Sequence, residues 1–289
     1  MRYPHFLALA LALGGPGMVA TSDAAAQAAR TVRQTAEASM TLTGTIDIGS
    51  EGQVTGFQLD HVDKVPADLA GFVQRQVQAW RFQPVLENGT AVATQTPVSL
   101  RLLSQPNPDG TGDSVRVAGA SFAQYNPEDT SRVASSDIRP PAYPKNLAAM
   151  RAKGDVLLLV KVGRDGTVDD VFAEQVNLRV VGKENQMRQV RNEFARASVS
   201  TARSWTFRPP TTGSFKDAES WNVRIPVRYM MGERAPYGTW EAYIPGPRER
   251  APWRTSQAGA EAAPDLLAAG GIYMADVDDG PRLLTPLGG

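Results

Sequence analysis

The chain has 289 residues, 42% of them apolar, and its 30 Lys and Arg balance its 30 Asp and Glu. A formal net charge of zero gives no electrostatic case for nucleic acid. The absence of cysteine excludes disulfides, thiol catalysis and thiolate metal sites. The length allows roughly two domains of ~150 residues, and 26 Gly with 21 Pro point to much irregular chain around them.

Arg2 precedes an unbroken apolar run over residues 6–13. Gly14-Gly15-Pro16-Gly17 ends the run, and Ala26-Gln27-Ala28 offers a small-x-small cleavage site. That order reads as a signal peptide over residues 1–28, and the run is shorter than the ~20 residues that span a bilayer. The alternative is an uncleaved N-terminal anchor. No Cys follows the run, so a lipid-anchored mature end is excluded.

The first patterned region is 38–103. Ile46 and Ile48 alternate with Thr45 and Asp47, the period of a half-buried strand, and a turn at Gly52 leads into a second strand. Leu69, Phe72, Val73, Gln76, Val77 and Trp80 then mark one face of a helix, with Pro66 suited to its first turn. Trp80-Arg81-Phe82-Gln83-Pro84 ends it, because the proline prevents the helix from resuming. Asn88-Gly89 reads as a turn, and Val98, Leu100 and Leu102 alternate as a last strand.

Residues 104–137 are rich in Pro, Asn, Ser, Gly and Asp and read as a linker, with a short strand possible over 115–122. The pattern then recurs over 138–231. A short helix is expected over 144–151. Val156, Leu158, Val160 and Val162 alternate, and Asp165-Gly166 is a hairpin signal. Met187, Val190, Phe194, Ala197, Thr201 and Trp205 share a helical stripe. Trp205-Thr206-Phe207-Arg208-Pro209 repeats the earlier phrase, and Val223, Ile225, Val227 and Tyr229 alternate in a final strand. Trp80 and Val98 have the same separation as Trp205 and Val223, which argues for duplication of a strand-strand-helix-strand unit. Residues 232–289 show no sustained period and read as a largely disordered tail.

No catalytic set is legible. His5 falls in the signal peptide, so His61 alone would have to serve a triad. Asp169-Asp170 and the carboxylates near Asp276 read as solvated charge, so no metal or cofactor is expected. Trp80, Phe82, Trp205 and Phe207 read as core aromatics closing small sheets, with ligand stacking the minority reading. Arg81, Arg208, Arg224 and Arg228 read as surface cations.

Pro141-Ala142-Tyr143-Pro144, Gly154-Asp155-Val156, Asp165-Gly166-Thr167-Val168, Trp205-Thr206-Phe207-Arg208-Pro209 and Arg224-Ile225-Pro226-Val227-Arg228-Tyr229, in this order, resemble the TonB C-terminal domain family over about 95 residues. Residues 38–103, with Trp80, Phe82 and Pro84, resemble a degenerate copy lacking the Tyr-Pro helix. The resemblance implies an α+β fold of tandem small modules, each a three-stranded antiparallel sheet with one or two helices packed on one face. It also implies a periplasmic location and an outer-membrane TonB-dependent receptor, or another envelope protein, as partner. Peptidoglycan and an inner-membrane proton-channel complex are further candidates. The chain departs from the family in lacking an anchor helix with a polar coupling residue and a long Pro-Lys/Pro-Glu rod. Energy transduction is therefore in doubt, and a binding role without catalysis is expected. The expected binding element is the last strand as an open edge, with Asn222, Val223, Arg224, Ile225, Val227, Arg228 and Tyr229 along it and Pro226 suited to an edge. Asn222, Arg224 and Arg228 are expected to point away from the core, so that Arg224→Ala would be mild for folding.

Mass spectrometry of the mature N-terminus should find cleavage near Ala26 or Ala28. Intact Met1 in washed membranes would instead show that the apolar run serves as an anchor.

Overall fold

Two antiparallel sheets organise the chain in a computed structural model that describes residues 37–107, 112–180, 182–232, 235–254, 266–267, 269–276 and 280–287. The N-terminal run and its cleavage site lie outside the described residues. The first sheet is built from β1 (Glu37–Ile48), β2 (Val54–Leu59), β5 (Thr94–Pro106) and β6 (Asp113–Ser121), with helix α1 (Ala67–Gln78) between β2 and β5. A small hairpin, β3 (Val85–Glu87) and β4 (Thr90–Val92), precedes β5 and turns through Asn88 and Gly89, both at positive φ. β1 pairs with β5 along its length and with β2 over residues 44–48, while β6 lies outside β5.

The second sheet has the same central order. β8 (Gly154–Gly163) lies between β9 (Val168–Leu178) and β11 (Ser220–Tyr229), with helix α3 (Glu184–Ala202) connecting β9 to β11. A short helix α2 (Lys145–Ala149) precedes β8, and β7 (Ala134–Asp137) pairs with β10 (Thr206–Arg208). The fold is therefore α+β, made of small antiparallel sheets with helices packed on them. Met40, Leu42, Ile46 and Ile48 of β1 meet Leu69, Val73 and Val77 of α1 in one core. Val156, Leu158 and Val160 of β8 meet Met187, Val190 and Phe194 of α3 in the other. In each case the period-two face of a sheet is covered by the period-3.6 stripe of a helix.

The Trp-x-Phe phrase does the same thing in both units. Trp80 and Trp205 are buried, and the Trp205 indole N–H donates to the Arg139 carbonyl at 2.9 Å. Two residues on, the Phe82 amide donates to the Gly52 carbonyl at 2.7 Å, and the Phe207 amide donates to the Gly166 carbonyl at 2.8 Å. The helix exit is thus tied back to the hairpin turn. Those turns require glycine twice over. Gly52 and Gly166 have φ of +83° and +80°, and a Cβ there would lie 2.0 Å from the Phe82 carbonyl oxygen and 2.2 Å from that of Phe207.

Two regions differ from the sequence reading. In the expected linker 104–137 the possible strand over 115–122 is present as β6, the fourth strand of the first sheet, because Val115 and Val117 continue the first core, and the short β7 is an addition the sequence did not signal. The expected disordered tail, where it is described, forms β12 (Glu241–Tyr243) and β13 (Tyr273–Met274) and buries Ile244, Ala251, Ile272 and Ala275. β12 adds to β1, and β13 adds to β11. The tail can do this because the second sheet is apolar on both faces. Leu157 and Leu159, between the core residues of β8, pack against Tyr273 and Leu267 and against Ala251 and Ala275 respectively. A strand buried on both faces reads as an apolar run and not as an alternation.

Gly52→Ala and Gly166→Ala should each destabilise by at least about 3 kcal/mol, since left-handed strain and a carbonyl clash act together. Gly89→Ala is the control, because Gly89 has φ +82° with nothing within 4 Å of its Cβ position, and it should cost only about 1–2 kcal/mol. Chemical denaturation that returned equal losses at all three positions would show that the turn-to-phrase contact is not a steric constraint.

Candidate functional site

The β11 edge begins as an alternating strand. Val223, Ile225, Val227 and Tyr229 are buried in the core against α3. Asn222, Arg224, Pro226 and Arg228 occupy the alternate positions, which would face solvent in a sheet covered on one side only. Here the tail covers that second face, and Arg224 is only 4% exposed. Its guanidinium donates to both carboxylate oxygens of Glu174, at 2.7 and 3.3 Å. Arg254 of the tail reaches the same carboxylate at 3.5 Å, donates to the Ala275 carbonyl at 2.7 Å and pairs with Asp276 at 3.2 Å. Arg224 is therefore part of a buried ion cluster beneath the tail and not a surface cation, and the expectation of a mild Arg224→Ala is overturned. Arg228 pairs with Asp155 at 2.7 Å, and Asp155 also holds Arg179 at 2.8 Å.

The tail also takes both edges of this sheet. Along β9, Leu178 and Ile244 exchange backbone hydrogen bonds at 3.0 and 2.9 Å, and the Glu249 amide donates to the Glu174 carbonyl at 2.8 Å. Along β11, Val223 lies opposite Met274 and Arg224 opposite Tyr273 in antiparallel register. The Ala275 amide donates to the Asn222 carbonyl at 2.8 Å, and the Gly270 amide donates to the Pro226 carbonyl at 3.2 Å. The Asn222 side chain donates to Asp276 at 2.9 Å and accepts from the Trp253 indole at 2.9 Å. The register puts the missing N–H of Pro226 on this outer edge, where an edge strand loses least by lacking it.

The other motif residues sit in structural roles. Tyr143 donates to the Ala152 carbonyl and meets Phe194 and Tyr229 edge-on, at ring-centroid distances of 5.9 and 5.4 Å. The Tyr229 and Ser198 hydroxyls lie 2.9 Å apart. Burial raises the phenol pKa of both Tyr143 and Tyr229 above the ordinary value. Pro144 caps α2, and a Cβ at Gly154 would lie 2.7 Å from the Asn177 carbonyl oxygen. The Asp165 carboxylate accepts from the Thr167 amide at 3.0 Å and its hydroxyl at 2.7 Å, which lowers its pKa. Pro84 and Pro209 follow the two Phe residues beside the hairpin glycines. Phe82 and Phe207 are buried, and Trp80 meets Phe82 and Phe122 edge-on.

His61 is exposed, at positive φ, and packs edge-on against Tyr237. Among the described residues no group of three or more His, Asp or Glu is arranged to hold a metal ion. No described helix is long and apolar enough to cross a membrane. A groove of about 780 Å³ runs between α3 and β9, with Val171, Ala195 and Val199 in its lining and Arg188, Arg196 and Arg203 among its polar residues.

Glu174→Gln should destabilise the protein by about 3–5 kcal/mol, because it leaves the buried cations Arg224 and Arg254 without their shared carboxylate. Asp276→Asn, at a side chain 39% exposed, should cost less than about 1 kcal/mol. Equal effects in denaturant titrations would show that the cluster is solvated.

Over 101 residues the chain is 33% identical to "Protein TonB" of two strains of Xanthomonas campestris pv. campestris. The match spans 34% of this chain and 38% of each relative, so well under half of those proteins is covered. No protein-family model matches the chain, and no solved structure matches it. The chain is thus similar to TonB over about a third of its length, within a fold of small antiparallel sheets and packed helices.

Proposed function

We propose that this is a TonB-related protein of the cell envelope that binds extended segments of other envelope proteins by strand addition along the β11 edge. The observation that carries the reading is that Val223 and Arg224 already hold an extended chain in antiparallel register, with flanking hydrogen bonds at Asn222 and Pro226. The similarity to TonB supports the choice of partner, an outer-membrane TonB-dependent receptor or another envelope protein in TonB-dependent transport. Affinity would come from the backbone of Asn222, Val223, Arg224 and Ile225, and from Val227, Arg228 and Tyr229 where the segment is longer. At ~3.3 Å per residue, pairing along the whole of 222–229 offers about 26 Å of edge. The Arg224 side chain supports the sheet from beneath through Glu174.

The first sheet fits the same reading as a degenerate copy of the unit, since its turn and its Trp-x-Phe phrase make the same hydrogen bonds. A periplasmic location follows if the N-terminal run is a cleaved signal. Contact with an inner-membrane proton-channel complex follows only if it stays as an anchor. The runner-up within transport is a true energy transducer anchored by that run, and the alternative outside transport is a peptidoglycan-binding or scaffold protein of the envelope. The role is binding, and no side chain is assigned to catalysis.

Chemical-shift titration of the full chain with peptides tiling the periplasmic N-terminal segments of outer-membrane receptors tests this. The expected result is perturbation centred on the amides of 222–229. Perturbation confined to the α3 groove, with none along β11, would overturn the edge assignment.

A further inference from the structure

We propose that residues 270–275 are a built-in ligand of the β11 edge, and that this edge takes external segments which copy their side-chain pattern and displace them. The inference rests on the reading of β11 as a strand-addition site and names the class of peptide that site accepts.

The tail segment reads Gly270-Gly271-Ile272-Tyr273-Met274-Ala275. Its side chains split by period two. Ile272 and Met274 enter the main core with Val223 and Ile225. Tyr273 packs on the opposite face against Leu157 and Leu267, and Ala275 packs there against Leu159 and Ala251. Gly270 sits at φ +83° where its amide reaches the Pro226 carbonyl. The edge is thus moulded to a segment with two aliphatic residues facing α3. On the other face it takes an aromatic and then a small residue, and beside Pro226 the segment passes through a positive φ that favours glycine, with nothing within 4 Å of the Cβ position.

The contact has the form of an exchangeable one. β11 pairs with β8 over ten residues but with the tail over two, flanked by a single hydrogen bond on each side. Among the described residues, no strand lies beside Val227, Arg228 and Tyr229 on this edge. An external segment of about eight residues could pair along all of 222–229, whereas the described backbone pairing of the tail ends at Gly270. More backbone pairs form in the exchanged state, which gives the longer segment the advantage at sufficient concentration.

The absence of native cysteine permits a direct test in the full chain. Val223 and Met274 face each other, and the Ala275-to-Asn222 hydrogen bond makes theirs the non-hydrogen-bonded pair of the ladder. Such pairs have Cα atoms about 4.5 Å apart, within the range a disulfide spans. The double variant Val223→Cys, Met274→Cys should lock the tail when oxidised, with its melting temperature at or above that of the reduced form. The probes are an eight-residue peptide copying residues 269–276 and a scrambled peptide that breaks the alternation.

The reduced protein should bind the copy at least tenfold more tightly than the scramble. Oxidation should weaken that binding at least tenfold, and reductant should restore it. Equal binding before and after oxidation, or equal binding of copy and scramble, would overturn the proposal. So would failure of the copy to bind both the reduced protein and a Met274→Ala variant whose tail is held less tightly. Envelope segments that bound the oxidised form undiminished would leave the protein a binding module but remove the built-in ligand. Exchange of the copy with no envelope segment captured would do the reverse.

Discussion

A strand at the edge of a sheet leaves a row of N–H and C=O groups that must find water or another chain. In the second sheet the chain's own tail meets part of that demand on both edges. Residues 244–249 run along β9 and residues 270–275 along β11. Covering the edges also covers the outer face, and the chemistry beneath follows from that. The tail excludes water from Glu174 and Arg224, and their ion pair offsets the cost of that burial. Leu157 and Leu159 gain partners that a one-sided sheet would deny them.

The same tail joins the two sheets. β12 extends β1, and the next residue, Ile244, bridges to Leu178 of the second sheet. Arg179 links Asp155 of β8 to Glu241 of β12. The Tyr237 phenol accepts from the Thr43 amide at 2.9 Å and donates to its carbonyl at 3.1 Å, filling the stretch of β1 between β12 and β2. Further on, Leu283 bridges to Phe82 of the first sheet's Trp-x-Phe phrase. A segment that opened at β11 would thus remain tethered on both sides, and a tethered occupant returns at a high effective concentration.

The two strand-strand-helix-strand units were legible because each uses strong local signals: an alternating strand, a turn glycine, a helical stripe and a proline that stops it. The Trp-x-Phe phrase was legible as a boundary, but its amide-to-glycine contact was not, since it joins residues far apart in sequence. The tail was not legible. Its described pairing segments are too short for a period to stand out, and their partners lie far upstream. Two clues were present all the same. Leu157-Leu158-Leu159-Val160 is apolar without alternation, which calls for cover on both faces. Arg224 stands on a strand otherwise rich in apolar residues, where an arginine needs either water or a carboxylate. Taking Arg224 as solvated followed from treating the sheet as one-sided.

Native-state amide hydrogen exchange tests the central claim most directly, that the tail holds the β11 edge reversibly. The Ala275 amide, bonded to Asn222, should be protected but should exchange through a local opening. Its opening free energy should lie well below that of the amides shared by β8 and β11, with little dependence on denaturant. Exchange of Ala275 only with global unfolding, at the same free energy and denaturant dependence as β8, would show that the tail is a permanent strand of the sheet and contradict the account.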